Sequence, residues 1–150
     1  MHDYGFRASL PAYGPLVLRL ALAAIFVGDG AQKLFGMWGG AGLTGTAAQF
    51  AAAGVEPGYP LAVTSGIVQF AGGLLLIIGA LTLPATIALS VLILGGIWQL
   101  GHGSEYYLVL LTALISLMLT GPGAFSIDGR RAESARAEAA GRARLRSGNV

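Results

Sequence analysis

Cysteine is absent from this chain, and charge is scarce, at 11% of residues. The first absence excludes disulfides, thiol redox chemistry, Cys-based metal sites and iron–sulfur clusters. Only two histidines are present, His2 and His102, too few for a conventional polyhistidine metal or haem site. The scarcity of charge excludes an ordinary aqueous surface, because soluble domains are typically about 25% charged. What is there instead is hydrocarbon: 55% of the 150 residues are hydrophobic, and mean hydropathy is +0.70. Lipid is the solvent this composition suits. No nucleotide loop, zinc signature or nucleophile elbow occurs. The 24 glycines lie inside apolar stretches or at turns rather than in a phosphate-binding pattern. No metal, no evident cofactor and no nucleic-acid partner is expected.

At about 20 residues per crossing, four crossings fit. The expected fold is therefore all-α: an integral membrane four-helix bundle with short loops and a basic C-terminal tail. Residues 1–15 read as a cytoplasmic N-terminal segment, retained rather than cleaved. The transmembrane domain spans 16–127, with crossings at about 16–35, 61–81, 84–101 and 105–120. Within the Gly- and Ala-rich stretch 36–60, residues Thr44 to Ala53 could form a short interfacial helix. Pro84 falls where a helix start tolerates it. Residues 61–100 contain no charged side chain, whereas each helix of a soluble bundle would show a polar face.

Residues 128–150 form an Ala/Arg/Glu-rich tail, either a solvated helix or disordered. Six arginines there oppose Asp128, Glu133 and Glu138, for a net +3, while residues 1–127 carry a net −1. Basic flanks stay cytoplasmic. With Arg7 and Arg19 at the other end of the chain, both termini are expected inside a bacterial inner membrane. The tail sets topology and could touch anionic headgroups. Arg19 is expected to snorkel toward the cytoplasmic face.

Polar residues in hydrocarbon usually face the bundle interior. On the first crossing Arg19, Leu22, Phe26, Asp29 and Lys33 share one face at 100° per residue. Asp29 and Lys33, one turn apart, can pair. Ser65, Gln69, Gly72, Leu76 and Gly79 share a face of the second crossing. Counting inward from the outer boundary puts Asp29 and Gln69 at similar depth. Asp29, Lys33, Gln69, Gln99, His102 and Glu105 thus form a candidate cluster in the outward half. It reads either as paired charges and amides that fix helix register, or as a pocket for a quinone headgroup or small molecule. Trp98, Tyr106 and Tyr107 read as interfacial anchors.

Gly30-Ala31-Gln32-Lys33-Leu34-Phe35-Gly36 closes the first crossing, and Gly42-Leu43-Thr44-Gly45-Thr46 follows with Phe50 and Gly54. Gln69-Phe70-Ala71-Gly72-Gly73-Leu74-Leu75-Leu76 lies in the second, with Gly79 and Leu81-Thr82 at its end. Gly121-Pro122-Gly123 and Ser126-Ile127-Asp128 close the last. In order and spacing this set resembles the DoxX family of small bacterial membrane proteins, over about residues 16–128. The resemblance implies four transmembrane helices in the inner membrane. It also implies an accessory role in a membrane oxidoreductase or stress-response system; since the chain shows no redox centre, it is expected to lack catalytic activity of its own. The quinone would then be shared with a membrane or soluble oxidoreductase partner. A small transporter or channel is the alternative. Two positions depart from the family: Asp29 stands where His is common, and Gln69 where Glu is common.

Overall fold

The computed structural model describes residues 4–100 and 105–147, and the side-chain surroundings of 13–98 and 105–142. Among the described residues the protein is all-helical: α1 (Tyr4–Phe35), a 3-10 turn (Met37–Gly39), α2 (Gly42–Ala52), α3 (Gly58–Ile78), α4 (Thr82–Leu100), α5 (Glu105–Thr120) and α6 (Ile127–Ser147). Six α-helices replace the four expected, because the loop 36–60 and the tail each supply one. The short helix in the loop begins at Gly42, two residues ahead of the expected Thr44. The first helix starts at Tyr4 rather than Leu16, so the segment 1–15 is largely its first turns. Pro11 and Pro15 remove single backbone donors there without ending the helix.

Among the described residues, two helices are long and apolar enough to cross a membrane: Tyr13–Phe35 within α1, and α3. The apolar Thr82–Trp98 and Glu105–Thr120 are shorter. At about 1.5 Å per residue, the 16 residues of α5 reach about 24 Å.

One apolar core joins four of the six helices. Leu22, Ala23 and Phe26 of α1 meet Leu76 of α3, Ala85, Leu89 and Ile93 of α4, and Leu110, Leu114 and Leu117 of α5. The outward faces are equally apolar: Val17, Ile67, Val91, Val109 and Leu119 are all more than half exposed. A water-soluble bundle would place polar side chains there. On α3 the apolar side chains Ile67, Leu74, Ile77 and Ile78 are exposed on the exterior.

α1 and α3 form the most extensive helix pair, and glycine sets their separation. A Cβ on Gly30 would lie 2.5 Å from the Phe70 backbone nitrogen, and one on Gly73 would lie 2.8 Å from that of Val27. Small residues at such crossings let backbones approach and van der Waals contact accumulate. α2 packs on α3 through a similar contact, with Gly58 against the Ala47 carbonyl. Residues 130–142 of α6 are exposed throughout, so this helix is the solvated form of the tail.

Candidate functional site

The two ends of the bundle carry different chemistry. At one end, the α1–α3 crossing fixes the depth of two candidate residues. Gly30 abuts Phe70 on the antiparallel α3, so their neighbours Asp29 and Gln69 sit within about 3 Å of one level on adjacent helices. Gln69 is 4% exposed, and its Oε1 has no hydrogen-bond partner. A buried amide oxygen without a donor costs about 1–3 kcal/mol. Such an atom in a native fold calls for an explanation, a ligand or an ordered water among them.

Asp29 and Lys33 are half-buried and one helical turn apart, and their charges act on one another. The Asp29 charge also reaches the phenols of Tyr106 and Tyr107 at the start of α5. The two tyrosine rings stand edge to face, with centroids 5.5 Å apart. Tyr107 packs over Gly96 of α4, where a Cβ would lie 3.5 Å from its ring. On the α1–α3 side, Phe35 and Phe70 make a second edge-to-face pair at 5.7 Å. This end therefore gathers a carboxylate, an ammonium, an amide and two phenols. The signal of the two phenols in the sequence was position alone, at the start of the helix whose far end closes the core. Glu105 is exposed at the rim. His102, and the side chain of Gln99, lie outside the described residues.

At the other end, Arg19 does not snorkel. It is 1% exposed, and its Nη1 donates a hydrogen bond to the Pro122 carbonyl, while its Nε has no partner. The loop after α5 causes this. Gly121-Pro122-Gly123 turns the chain so that residues 122–128 fold against the middle of α1, at Tyr13 and Arg19, and across the end of α3 at Gly79. Ser126 caps α6, its Oγ accepting the Gly129 N–H at 3.0 Å. The Asp128 N–H donates to the Gly79 carbonyl at 3.0 Å. The Asp128 carboxylate accepts the N–H groups of Leu81 at 3.1 Å and Thr82 at 2.7 Å. Those are free donors at the start of α4, so an acid 46 residues away in sequence caps that helix and opposes its dipole. Gly79 holds φ +63°, and a Cβ there would lie 2.6 Å from both Arg19 Nη1 and Ser126 Cβ. Only glycine satisfies both the backbone and the space. The sequence carried a faint trace of this clasp: Gly79, Leu81-Thr82, Gly121-Pro122-Gly123 and Ser126-Ile127-Asp128 all belong to the motif set quoted above.

Asp128 feels opposing influences. Burial pushes its carboxyl up. The Thr82 and Leu81 N–H groups, the nearby Thr82 hydroxyl and Arg131 outweigh that and hold it below its ordinary value.

No group of three or more His, Cys, Asp or Glu suited to a metal ion occurs among the described residues. Among the described residues, an all-helical fold with apolar outer faces and two spanning-length helices has the character of a membrane protein. Within that class, the DoxX family model matches residues 14–102. The chain belongs to the DoxX family. No curated protein and no solved structure matches it significantly. The matched region takes in Asp29, Lys33, Gln69 and Gly79 but stops short of Pro122 and Asp128, the residues that close over Arg19.

Proposed function

We propose that this chain is a four-crossing protein of the bacterial inner membrane, with α1, α3, α4 and α5 as the crossings and both termini in the cytoplasm. It serves as an accessory subunit of a membrane oxidoreductase or stress-response system. The Asp29 end, facing outward, receives a small amphipathic molecule such as a quinone. The observation that carries this reading is the unpartnered, buried Oε1 of Gln69 at the level of Asp29. A polar atom held dry and without a donor suits a ligand that brings one.

The side chains present fit a headgroup of that kind. Lys33, Tyr106 and Tyr107 offer donors to a carbonyl oxygen, while Asp29 and the Gln69 amide oxygen accept from a hydroxyl. Both oxidation states of a quinone headgroup therefore find complementary partners. A quinone, when bound, supplies the two-electron chemistry, and the electrons come from a partner protein. The chain's own residues bind and orient. Asp29 steadies the Lys33 ammonium, and Gln69 fixes the headgroup's direction.

The test is complementation of a deletion strain under oxidative challenge, with extraction of quinones from the protein purified in mild detergent. Asp29→Asn and Gln69→Leu are expected to lower co-purified quinone at least fivefold and to impair growth, while Arg7→Ala leaves both unchanged. Equal quinone content and equal growth across the three variants would refute the reading.

A further inference from the structure

The bundle is not equally tall on all sides. One set of hydrogen bonds levels its helices at the Arg19 end. The Pro122 carbonyl, just past α5, accepts from Arg19 of α1. The Asp128 N–H reaches the Gly79 carbonyl at the end of α3, and the Asp128 carboxylate holds the Leu81 and Thr82 N–H groups at the start of α4. Four helices therefore count from a common level, and from it they run different distances.

At about 1.5 Å per residue, the exposed apolar residues of α3 run from Ile78 to Tyr59, about 28 Å. Those of α4 run from Leu83 to Trp98, about 22 Å, and those of α5 from Leu119 to Tyr106, about 20 Å. α1 also continues past the common level, down to Tyr13, whose ring centroid lies 6.5 Å from that of Phe125. Its span Tyr13–Phe35 covers about 33 Å. In sequence, α5 cannot be lengthened into apolar flanks: Gly101-His102-Gly103-Ser104-Glu105 precedes its apolar run and Gly121-Pro122-Gly123 follows it.

Tilt resolves only half of this inequality. Leaning shortens the projection of a helix, so α1 and α3 can fit a hydrocarbon layer of about 30 Å. No tilt lengthens α4 or α5. A helix too short for its bilayer is accommodated by snorkelling cations, by association with another helix, or by local thinning of the lipid. Snorkelling is closed to this pair, because residues 82–120 contain no lysine or arginine. Association is poorly served, since helices in lipid approach one another at small residues. The residues that project here are bulky: Leu83, Ile87, Val91, Val109, Ile115 and Leu119. Gly95 is open, but it stands between the exposed Leu94 and Trp98.

We infer that the α4–α5 face is a contact surface for phospholipids with short acyl chains, and that the bilayer is thinner along this face than along α1 and α3. The outer boundary of the hydrocarbon then meets this face at Tyr106, which the Asp29 charge reaches. The inference rests on the placement of the chain in a bilayer.

The experiment uses the full chain in bilayers that mix dimyristoleoyl and dioleoyl phosphatidylcholine, with bromine on one lipid or the other. Bromine quenches tryptophan fluorescence only from a lipid beside the ring, so moving the label between the two lipids gives their relative occupancy. The two native tryptophans, Trp38 and Trp98, are exposed, and W38F/W98F removes their signal without touching the core. A single reporter is then introduced as Val109→Trp on α5 or, in a separate protein, as Ile67→Trp on α3; both positions are more than half exposed. The α5 reporter is expected to see the shorter lipid at least threefold over the longer, and the α3 reporter to see no excess of it. The same ratio at the two positions, or no excess of the shorter lipid at Val109→Trp, would overturn the inference. So would an unquenched Val109→Trp beside a quenched Ile67→Trp, which would mean that a second copy covers the face. Failure of bromine to quench either reporter would overturn the bilayer placement, and this inference with it.

Discussion

Two residues at the Arg19 end hold more of the structure than their side-chain size suggests. Asp128 closes the start of α4 with its carboxylate and the end of α3 with its backbone N–H. Its carboxyl is held below the ordinary value, so the sign of its pH effect is fixed. The stability it contributes is complete above the unfolded carboxyl value of about 4 and is lost as pH falls through the lower folded value. Thermal unfolding in detergent should show a midpoint that falls as pH drops from 5 to 3. In Asp128→Asn that fall should be smaller, with a lower midpoint already at pH 7. A pH response identical in the two proteins would place the acid sensitivity elsewhere. Arg19 marks where sequence reasoning stops at this scale. Helical spacing put it correctly on the face of Leu22 and Phe26, which are buried core residues. Spacing says nothing of a loop 103 residues away, and Pro122 turns an expected snorkel into a buried cation. Gln69 was legible for the converse reason: its depth depends only on a helix pair that the glycines already announce.

At the level of elements, the α1–α3 crossing depends on hydrogen in place of side chain. Gly30 meets the Phe70 backbone at a distance no Cβ tolerates, whereas Gly28, two residues earlier, has nothing within 4 Å. The pair makes an internal control. Gly30→Ala should destabilise the protein by about 2 kcal/mol or more, since backbone must shift. Gly28→Ala should be neutral or gain up to about 1 kcal/mol, because it raises helix propensity at an open position. Denaturation in a mild detergent titrated with dodecyl sulfate, followed by helical circular dichroism, separates them. Equal loss in both would mean that the crossing is not the determinant. The apolar helices themselves were legible, because their apolar runs are long and their ends are marked by Gly and Pro. The bounds of α3 to α5 fall within three residues of those read from the sequence. α1 was not, since its first turns are too polar and too rich in proline to announce a helix. The tail left helix and disorder open; its alanines, arginines and glutamates are good helix formers, and helix is what they make.

The whole molecule is polarised. One end gathers Asp29, Lys33, Gln69, Tyr106 and Tyr107; the other buries Arg19 under a glycine-proline turn and carries an arginine-rich helix. The apolar belt between them, with Val17, Ile67, Val91 and Val109 facing out, is what a bilayer requires. The proposed arrangement puts the α1–α2 loop and the α4–α5 turn outside, and the α3–α4 turn and α6 inside. The absence of cysteine makes this directly measurable, since any thiol introduced is the only one in the chain. Single substitutions Ala53→Cys, Ala80→Cys, Ser104→Cys and Ser134→Cys report the two loops, the inner turn and the tail helix. Labelling of spheroplasts with a membrane-impermeant maleimide should modify Ala53→Cys and Ser104→Cys in intact cells. It should reach Ala80→Cys and Ser134→Cys only after permeabilisation. Labelling of Ala80→Cys and Ala53→Cys from the same side, or of Ser134→Cys from outside, would contradict the four-crossing account.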